Sequence, residues 1–169
     1  FSKPIPALKS LENSSRVIYL GSFSSTLFAA VKISYMVLPE EMARLFSSMA
    51  QDYSQTCSKL EQLTLAMFME SGHYQTHIKK LRKLYSQKLS AVTDTFAEEA
   101  SDFVTVKNTS SGISVILNVK SRKTTEELKK DAEQLGIPAV PHPKEGLLAL
   151  YYNQIPLVEI PRLFRTLIE

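Results

Sequence analysis

With 169 residues, an apolar share of 44% and a net charge of +3, the chain has the makeup of one ordinary globular domain or one and a half small ones. The charge is too small and too evenly spread to argue for nucleic-acid binding by itself, no apolar run approaches the ~20 residues of a membrane helix, and a lone cysteine, Cys57, excludes an internal disulfide. A reducing, cytoplasmic setting is therefore expected. The first ten residues lack the basic start and long apolar core of a signal peptide. A chain that begins at Phe1 rather than Met is expected to be a fragment or a processed product.

Residues 1–15 hold Pro4, Pro6 and then Glu12-Asn13-Ser14-Ser15, which predicts an extended loop with a turn. Apolar runs at 17–20 and 33–38, rich in Val, Ile and Tyr and bounded by Gly21 and Pro39, predict two buried strands over 16–22 and 32–38. The loop between them carries the hydroxyls of Ser22, Ser24, Ser25 and Thr26. A glycine followed by hydroxyls at a strand end suits phosphate, because backbone N–H and side-chain O–H groups converge there, and Lys32 supplies a positive charge. Serine-rich loops are also ordinary solvated turns.

Pro39-Glu40-Glu41 opens a helix with two acids at the positive end of its dipole, and Met42, Leu45, Phe46 and Met49 give it an apolar stripe. A polar gap over 54–58 follows. The next helix spans 59–70, with Leu60, Leu63, Ala66 and Met67 on one face, and is closed by Ser71-Gly72. A long helix then runs from 74 to about 99. Its core stripe is Ile78, Leu81, Leu84, Tyr85 and Leu89, and Lys79, Lys80, Arg82, Lys83 and Lys88 lie between them. That basic set reads as a solvated face or as an anion or DNA contact.

The remainder predicts strands at 103–106 and 113–119 around a turn at 108–112, the second alternating Ile113, Val115, Leu117 and Val119 with intervening residues. Thr124 or Thr125 caps a helix with Glu126 and Glu127 in its first turn, ending at Gly136. Strands at 137–140 and 147–152 and a last helix over 158–168, with Leu163, Phe164, Leu167 and Ile168 for burial, complete a β-β-α-β-β-α order. The expected fold class is α/β, its C-terminal part a small α+β sandwich with helices on one face of a sheet. The C-terminal part is expected to be the stable unit and 1–55 the weak one, since two strands alone are marginal.

His73 and His77 have the i, i+4 spacing of two ligands on one helix face, but His-Tyr-Gln-Thr-His lacks the glutamate of a zinc protease helix and no third ligand is evident. A helix-start histidine and a surface histidine are expected instead. Cys57 has no recognisable catalytic partner. There is no GxGxxG, Walker or GxSxG pattern.

The stretch Gly21-Ser22-Phe23-Ser24-Ser25-Thr26-Leu27-Phe28-Ala29-Ala30-Val31-Lys32-Ile33-Ser34-Tyr35 resembles, without a gap, the cofactor-lysine segment G-T-F-S-K-T-L-F-P-A-L-R-L-G-Y of MocR/GabR/PdxR-type transcription regulators. These join a winged-helix DNA-binding domain to an aminotransferase-like domain of fold-type-I pyridoxal-phosphate (PLP) proteins. His77-Ile78-Lys79-Lys80-Leu81-Arg82-Lys83-Leu84-Tyr85 is similar to a second family pattern, H-[IL]-R-R-M-R-x-x-Y. The resemblance implies that 1–55 is the C-terminal remnant of the PLP-binding large domain, 56–72 a connecting helix and 73–169 the C-terminal small domain.

It also implies cofactor-binding positions at Ser22, Ser24, Ser25 and Lys32, with pyridoxal 5'-phosphate as effector in the parent protein. Ser25 stands at the Schiff-base lysine position and Lys32 at that of an arginine on the cofactor phosphate. A serine hydroxyl forms no stable imine with the cofactor aldehyde, so PLP is not expected to bind covalently. Either the lysine has been lost, naturally or by engineering, or Lys32 has another role; the unbroken register favours the loss. The arginine that holds a substrate carboxylate in amino-acid-using members would fall near 146–150, where the chain reads Gly-Leu-Leu-Ala-Leu.

The implied protein is a homodimeric, cytoplasmic, PLP-responsive regulator of the PdxR kind, not an enzyme. It binds PLP or a related vitamer, reaches DNA through a missing N-terminal domain and contacts no membrane. A fragment of a fold-type-I aminotransferase is the alternative, and an inert fold fragment is a third reading of the chain by itself.

Overall fold

The structure is a computed structural model that describes every residue except 1–5, 12–15, 29, 55, 100–102, 110–111, 145 and 169. The chain divides between two units, one of Lys3–Lys79 and one that comprises Lys80–Glu169. The division falls inside the long helix, where the sequence reading set a boundary at 72/73.

The N-terminal unit holds α1 (Leu8–Leu11), β1 (Tyr19–Ser22), β2 (Ser34–Val37), α2 (Glu40–Met49), α3 (Lys59–Glu70) and the first turns of α4 (His73–Glu98). Part of the expected extended leader is helical: Ser10 bonds the Ala7 carbonyl through both its N–H (2.8 Å) and its hydroxyl (2.7 Å), closing the single turn of α1. The turn expected at 12–15 lies outside the described residues. β1 and β2 pair antiparallel from Tyr19↔Val37 to Ser22↔Ser34 and form a sheet of their own. They are not the buried strands expected. Leu20 is 72% exposed, and Tyr35, Met36 and Val37 are exposed as well; among the described residues the ribbon pairs with no third strand, and two strands alone bury little.

Pro39 precedes α2 as its N-cap, and Glu40 and Glu41 fill the first turn. The apolar stripe Met42, Leu45, Phe46 and Met49 points to solvent. α3 has the expected bounds and starts on Ser58, whose hydroxyl accepts from the Glu61 N–H; Gly72, at φ 76°, follows its last turn. The face picked out by the spacing, Leu60, Leu63, Ala66 and Met67, is exposed, and Leu65, Phe68 and Met69 are half-buried. α3 is apolar on both sides, so spacing alone did not select the inward face.

The C-terminal unit has the expected order: β3 (Val104–Lys107), β4 (Ser114–Val119), α5 (Thr125–Gln134), β5 (Ala139–Pro141), β6 (Leu147–Tyr151) and, after a 3-10 turn over Leu157–Glu159, α6 (Ile160–Ile168). The strands form one antiparallel sheet in the order β3-β4-β6-β5. Alternate residues Val115 and Leu117 of β4 and Leu148 and Leu150 of β6 are buried in one cluster with Leu89, Val92 and Phe96 of α4, Ala132 of α5 and Leu163 and Phe164 of α6. Period-two burial on the strands and helical spacing on the helices meet on one sheet face. Phe96 and Phe164 meet edge to face at 5.7 Å between centroids. Thr124 caps α5 in a complete capping box: its hydroxyl accepts from the Glu127 N–H, and the Glu127 carboxylate accepts from the Thr124 N–H. These bonds hold the Glu127 carboxyl below its ordinary range.

Lys88 corrects the reading of the basic helix face. It is 6% exposed, its Nζ donates to the Asn153 carbonyl at 2.7 Å, and it sits 5.9 Å from the centre of the Tyr85 ring. Burial lowers its pKa. Lys79, Lys80, Arg82 and Lys83 are exposed. Tyr152 is fully buried and donates its phenol proton to the Gly112 carbonyl at 2.8 Å; burial pushes its pKa up to about 12.

Two outcomes are expected. Amide exchange in a dilute monomer is slow at Val115–Leu117 and Leu148–Leu150 and fast at Tyr19–Leu20; equal protection would contradict the contrast in burial. Tyr152→Phe costs about 1 kcal/mol near neutral pH, the net value of one hydrogen bond, in a urea titration. Because the folded phenol holds its proton more tightly than the unfolded one, its stabilising share is complete below pH 10 and is lost as pH rises toward about 12. The difference between parent and Tyr152→Phe narrows across that window.

Candidate functional site

The candidate site is the loop that joins β1 to β2. The ladder extends one step past the strands, through the Phe23 N–H to the Ile33 carbonyl at 3.0 Å. The loop then winds a single turn, with the N–H groups of Thr26 (3.1 Å) and Leu27 (2.9 Å) both on the Phe23 carbonyl. Val31 N–H bonds the Phe28 carbonyl at 3.0 Å and returns the chain toward β2.

This turn gathers three of the expected residues. Ser22 Oγ and Ser24 Oγ are 3.0 Å apart. Ser24 donates its hydroxyl proton to the Val31 carbonyl at 2.7 Å, across the mouth of the loop. Ser25 donates to the Ser22 carbonyl at 3.2 Å. Thr26 donates to Phe23 O at 3.3 Å and stands 3.4 Å from the Tyr74 phenol. Lys32 is not part of this cluster: among the described residues no hydrogen bond or ion pair joins it to the serines or to an acid, and it is exposed.

Residues not expected at the site hold it in place. The His77 ring nitrogen Nε2 is 2.8 Å from the Thr26 carbonyl, so the imidazole donates there; His77 is half-buried, not the surface histidine expected. His73 lies against Phe68 at 6.1 Å between ring centres. Among the described residues no three ligand-type side chains cluster for a metal. Phe23 packs between Tyr35 (5.2 Å) and Tyr74 (6.0 Å). Tyr35 also meets Tyr19 at 6.0 Å, and a hydrogen bond that the Tyr35 phenol donates to that neighbour raises the Tyr35 pKa. Position 26 and position 77 are 51 residues apart, and no local periodicity links them. Next to the loop, Leu27, Phe28 and Val31 face Leu60, Leu65 and Phe68 across an apolar groove of about 510 Å³.

Gly21 has a packing reason to be glycine. A Cβ there would lie 2.3 Å from Tyr35 Cζ, inside the ring. The aromatic therefore lies directly on the backbone at the head of the serine loop.

Comparison with known proteins gives a consistent picture. No protein-family model matches the chain. It is similar to the uncharacterized HTH-type transcriptional regulator YdeL of Bacillus subtilis, 35% identical over 82% of the chain and 30% of that protein. It is 28% identical to the probable rhizopine catabolism regulatory protein MocR of Rhizobium meliloti over 80% of the chain and 27% of that protein. The HTH-type pyridoxine biosynthesis transcriptional regulator PdxR of Corynebacterium glutamicum is 32% identical over 56% of the chain and 21% of that protein. In structure, 99% of the chain superimposes on 44% of Pyrococcus horikoshii kynurenine aminotransferase, solved with PMP, at TM-score 0.78 and 21% identity. The chain thus has the fold of part of an aminotransferase, its sequence relatives are MocR- and PdxR-type regulators, and it spans about 30% of the length of the first of them.

Gly21→Ala is expected to cost about 1–3 kcal/mol by urea unfolding, as over-packing does, with a change in tyrosine fluorescence. In a Tyr35→Ala background the same substitution should cost much less. An equal cost in both backgrounds would show that the ring is not the obstacle.

Proposed function

We propose that the chain is part of the effector-binding and dimerisation domain of a PLP-responsive, MocR-type regulator of the PdxR kind. The observation that carries the reading is the pairing of an aminotransferase fold with sequence relatives that are HTH regulators. In this reading residues 1–55 end the PLP-binding large domain, 56–72 connect, and 73–169 form the small domain. The whole protein is a cytoplasmic homodimer that reaches DNA through a separate helix-turn-helix domain. Among the described residues no helix is long and apolar enough to cross a membrane.

The residues present suit one end of PLP and not the other. Ser22, Ser24 and Ser25 put three hydroxyls in one turn, and Lys32 supplies a cation on the same loop. The protons of Ser24 and Ser25 are directed at backbone carbonyls, so holding a phosphate requires each hydroxyl to rotate away from its carbonyl. The aldehyde end has no amine at position 25. In enzymes of this fold PLP acts as an electron sink for carbanion chemistry. Here Ser25 neither anchors the cofactor nor shuttles a proton, and Leu147, Leu148 and Leu150 stand buried where a substrate-carboxylate arginine would be sought. Both features favour a ligand-responsive protein over the alternative, a piece of an aminotransferase. Binding then acts by stabilising one arrangement of the dimer over another.

Two experiments test this. The coding sequence upstream of Phe1 should specify a helix-turn-helix domain; a short aminotransferase arm in its place overturns the regulator reading. When the chain is mixed with PLP, reduced with borohydride and weighed intact, adducts should scatter over exposed lysines. One stoichiometric adduct within 22–32 overturns the assignment of Ser25 as a non-covalent position.

A further inference from the structure

The sheet of the C-terminal unit is wider than its helices cover. α5 packs on β5 and β6, and α4 and α6 fill the cluster over β4 and β6. Over β3 and the outer side of β4 a gap of about 340 Å³ remains. Its floor includes Leu117 and Phe96, and its walls are Val104, Val119, Leu128, Leu167 and Ile168.

The mouth differs in character from the walls. Lys120, Ser121, Lys123 and Asp131 stand around it. Lys123 is neutralised by Asp131, at 2.7 Å, and that contact raises the Lys123 pKa. Ser121 Oγ accepts from the Lys123 N–H at 3.0 Å. Lys120 is exposed, and among the described residues its ammonium has no ion pair and no hydrogen bond. Among the described residues, Lys120 is thus the one cation left without a partner at the rim of an apolar cleft. Small-molecule sites have this makeup, about 300–1,000 Å³ of mainly apolar wall with a few polar groups that fix orientation.

We propose that this cleft binds a small amphipathic monocarboxylate, its apolar body between Leu128 and Ile168 and its carboxylate on Lys120. Among the described residues a single uncompensated lysine stands at the mouth, and it matches a single negative charge. The volume lies at the small end of the range for ligand sites, so the body is a medium-length alkyl chain or one aromatic ring. The cleft lies wholly within the C-terminal unit and shares no residue with the serine loop, so the proposal stands independently of the PLP reading.

Sodium octanoate, kept below the concentration at which it forms micelles, is the probe, titrated into the methyl-labelled chain and followed by NMR. Saturable shifts are expected at the methyls of Val104, Val119, Leu128, Leu167 and Ile168. Lys120→Ala, on an exposed side chain, should leave the fold intact and weaken binding about threefold, the usual share of an exposed charge pair. Octylamine, with the same tail and the opposite charge, should bind more weakly than octanoate. Absence of saturation at these methyls overturns the proposal. So do shifts that follow octanoate equally at Leu20 and Val37, which would mark a detergent effect on exposed apolar surface. Equal affinity of parent and Lys120→Ala, or of octanoate and octylamine, removes Lys120 as the recognition element.

Discussion

A sheet face buries side chains only when a second layer covers it, and the two units differ above all in this. In the C-terminal unit three helices lie on one face of four strands, and the alternate residues of β4 and β6 are buried against them. Everything else of note in that unit depends on this cover. Tyr152 is fully enclosed and must spend its phenol proton on a carbonyl. Lys88 can extend its stem through the interior because the Asn153 carbonyl meets its charge at the end. Among the described residues of the N-terminal unit the two strands pair only with each other, and residues as apolar as Leu20 of β1 and Met49 of α2 are exposed. The chain superimposes on 44% of the length of the kynurenine aminotransferase whose fold it shares.

The serine loop is ordered all the same, and the reason is local. Its turn closes on the Phe23 carbonyl, its mouth closes through Ser24 to Val31, and His77 holds the Thr26 carbonyl from α4. Phe23 fixes the start of the turn between two tyrosines, and Tyr35 lies on Gly21, where any side chain would displace it. The hydroxyls are therefore positioned by the protein's own backbone bonds. Each bond that positions a hydroxyl also occupies its single proton, so order in the loop and affinity for an anion compete for the same donors.

Much of this was legible in the sequence because the signals are short-range. The cap at Thr124 with Glu127 in the first turn, Gly72 after α3 and the alternation along β4 all act within a few residues, and the elements fall where those signals place them. The serine cluster was legible for the same reason. What was not legible depends on distant partners. Lys88 reads as one of five basic residues on the helix, and only the Asn153 carbonyl, 65 residues on, makes its burial tolerable. His77 reads as a surface residue until Thr26 is brought to it. α3 is apolar on two sides, and which side turns inward is decided by Phe68 meeting His73 and Tyr74. The strands at 17–20 and 33–38 read as buried because their composition suits a covered sheet, and composition says nothing of whether the cover is present.

Position 25 ties the loop to the regulator reading. A lysine there would place an ammonium among hydroxyls whose protons are already committed to carbonyls, and a ligand aldehyde would be captured by a covalent bond. With serine, the loop offers hydroxyls in the turn and one cation, Lys32, apart from them. Under the proposed reading, affinity for a phosphorylated ligand would rest on hydrogen bonds and charge alone. Each of these is modest because it replaces a bond to water or to the backbone. Occupancy held by such contacts follows free ligand concentration over a range set by the dissociation constant. A protein that reports a vitamer level needs that response. A catalyst needs its cofactor in place at every turnover, and the loop without lysine suits the first task better than the second.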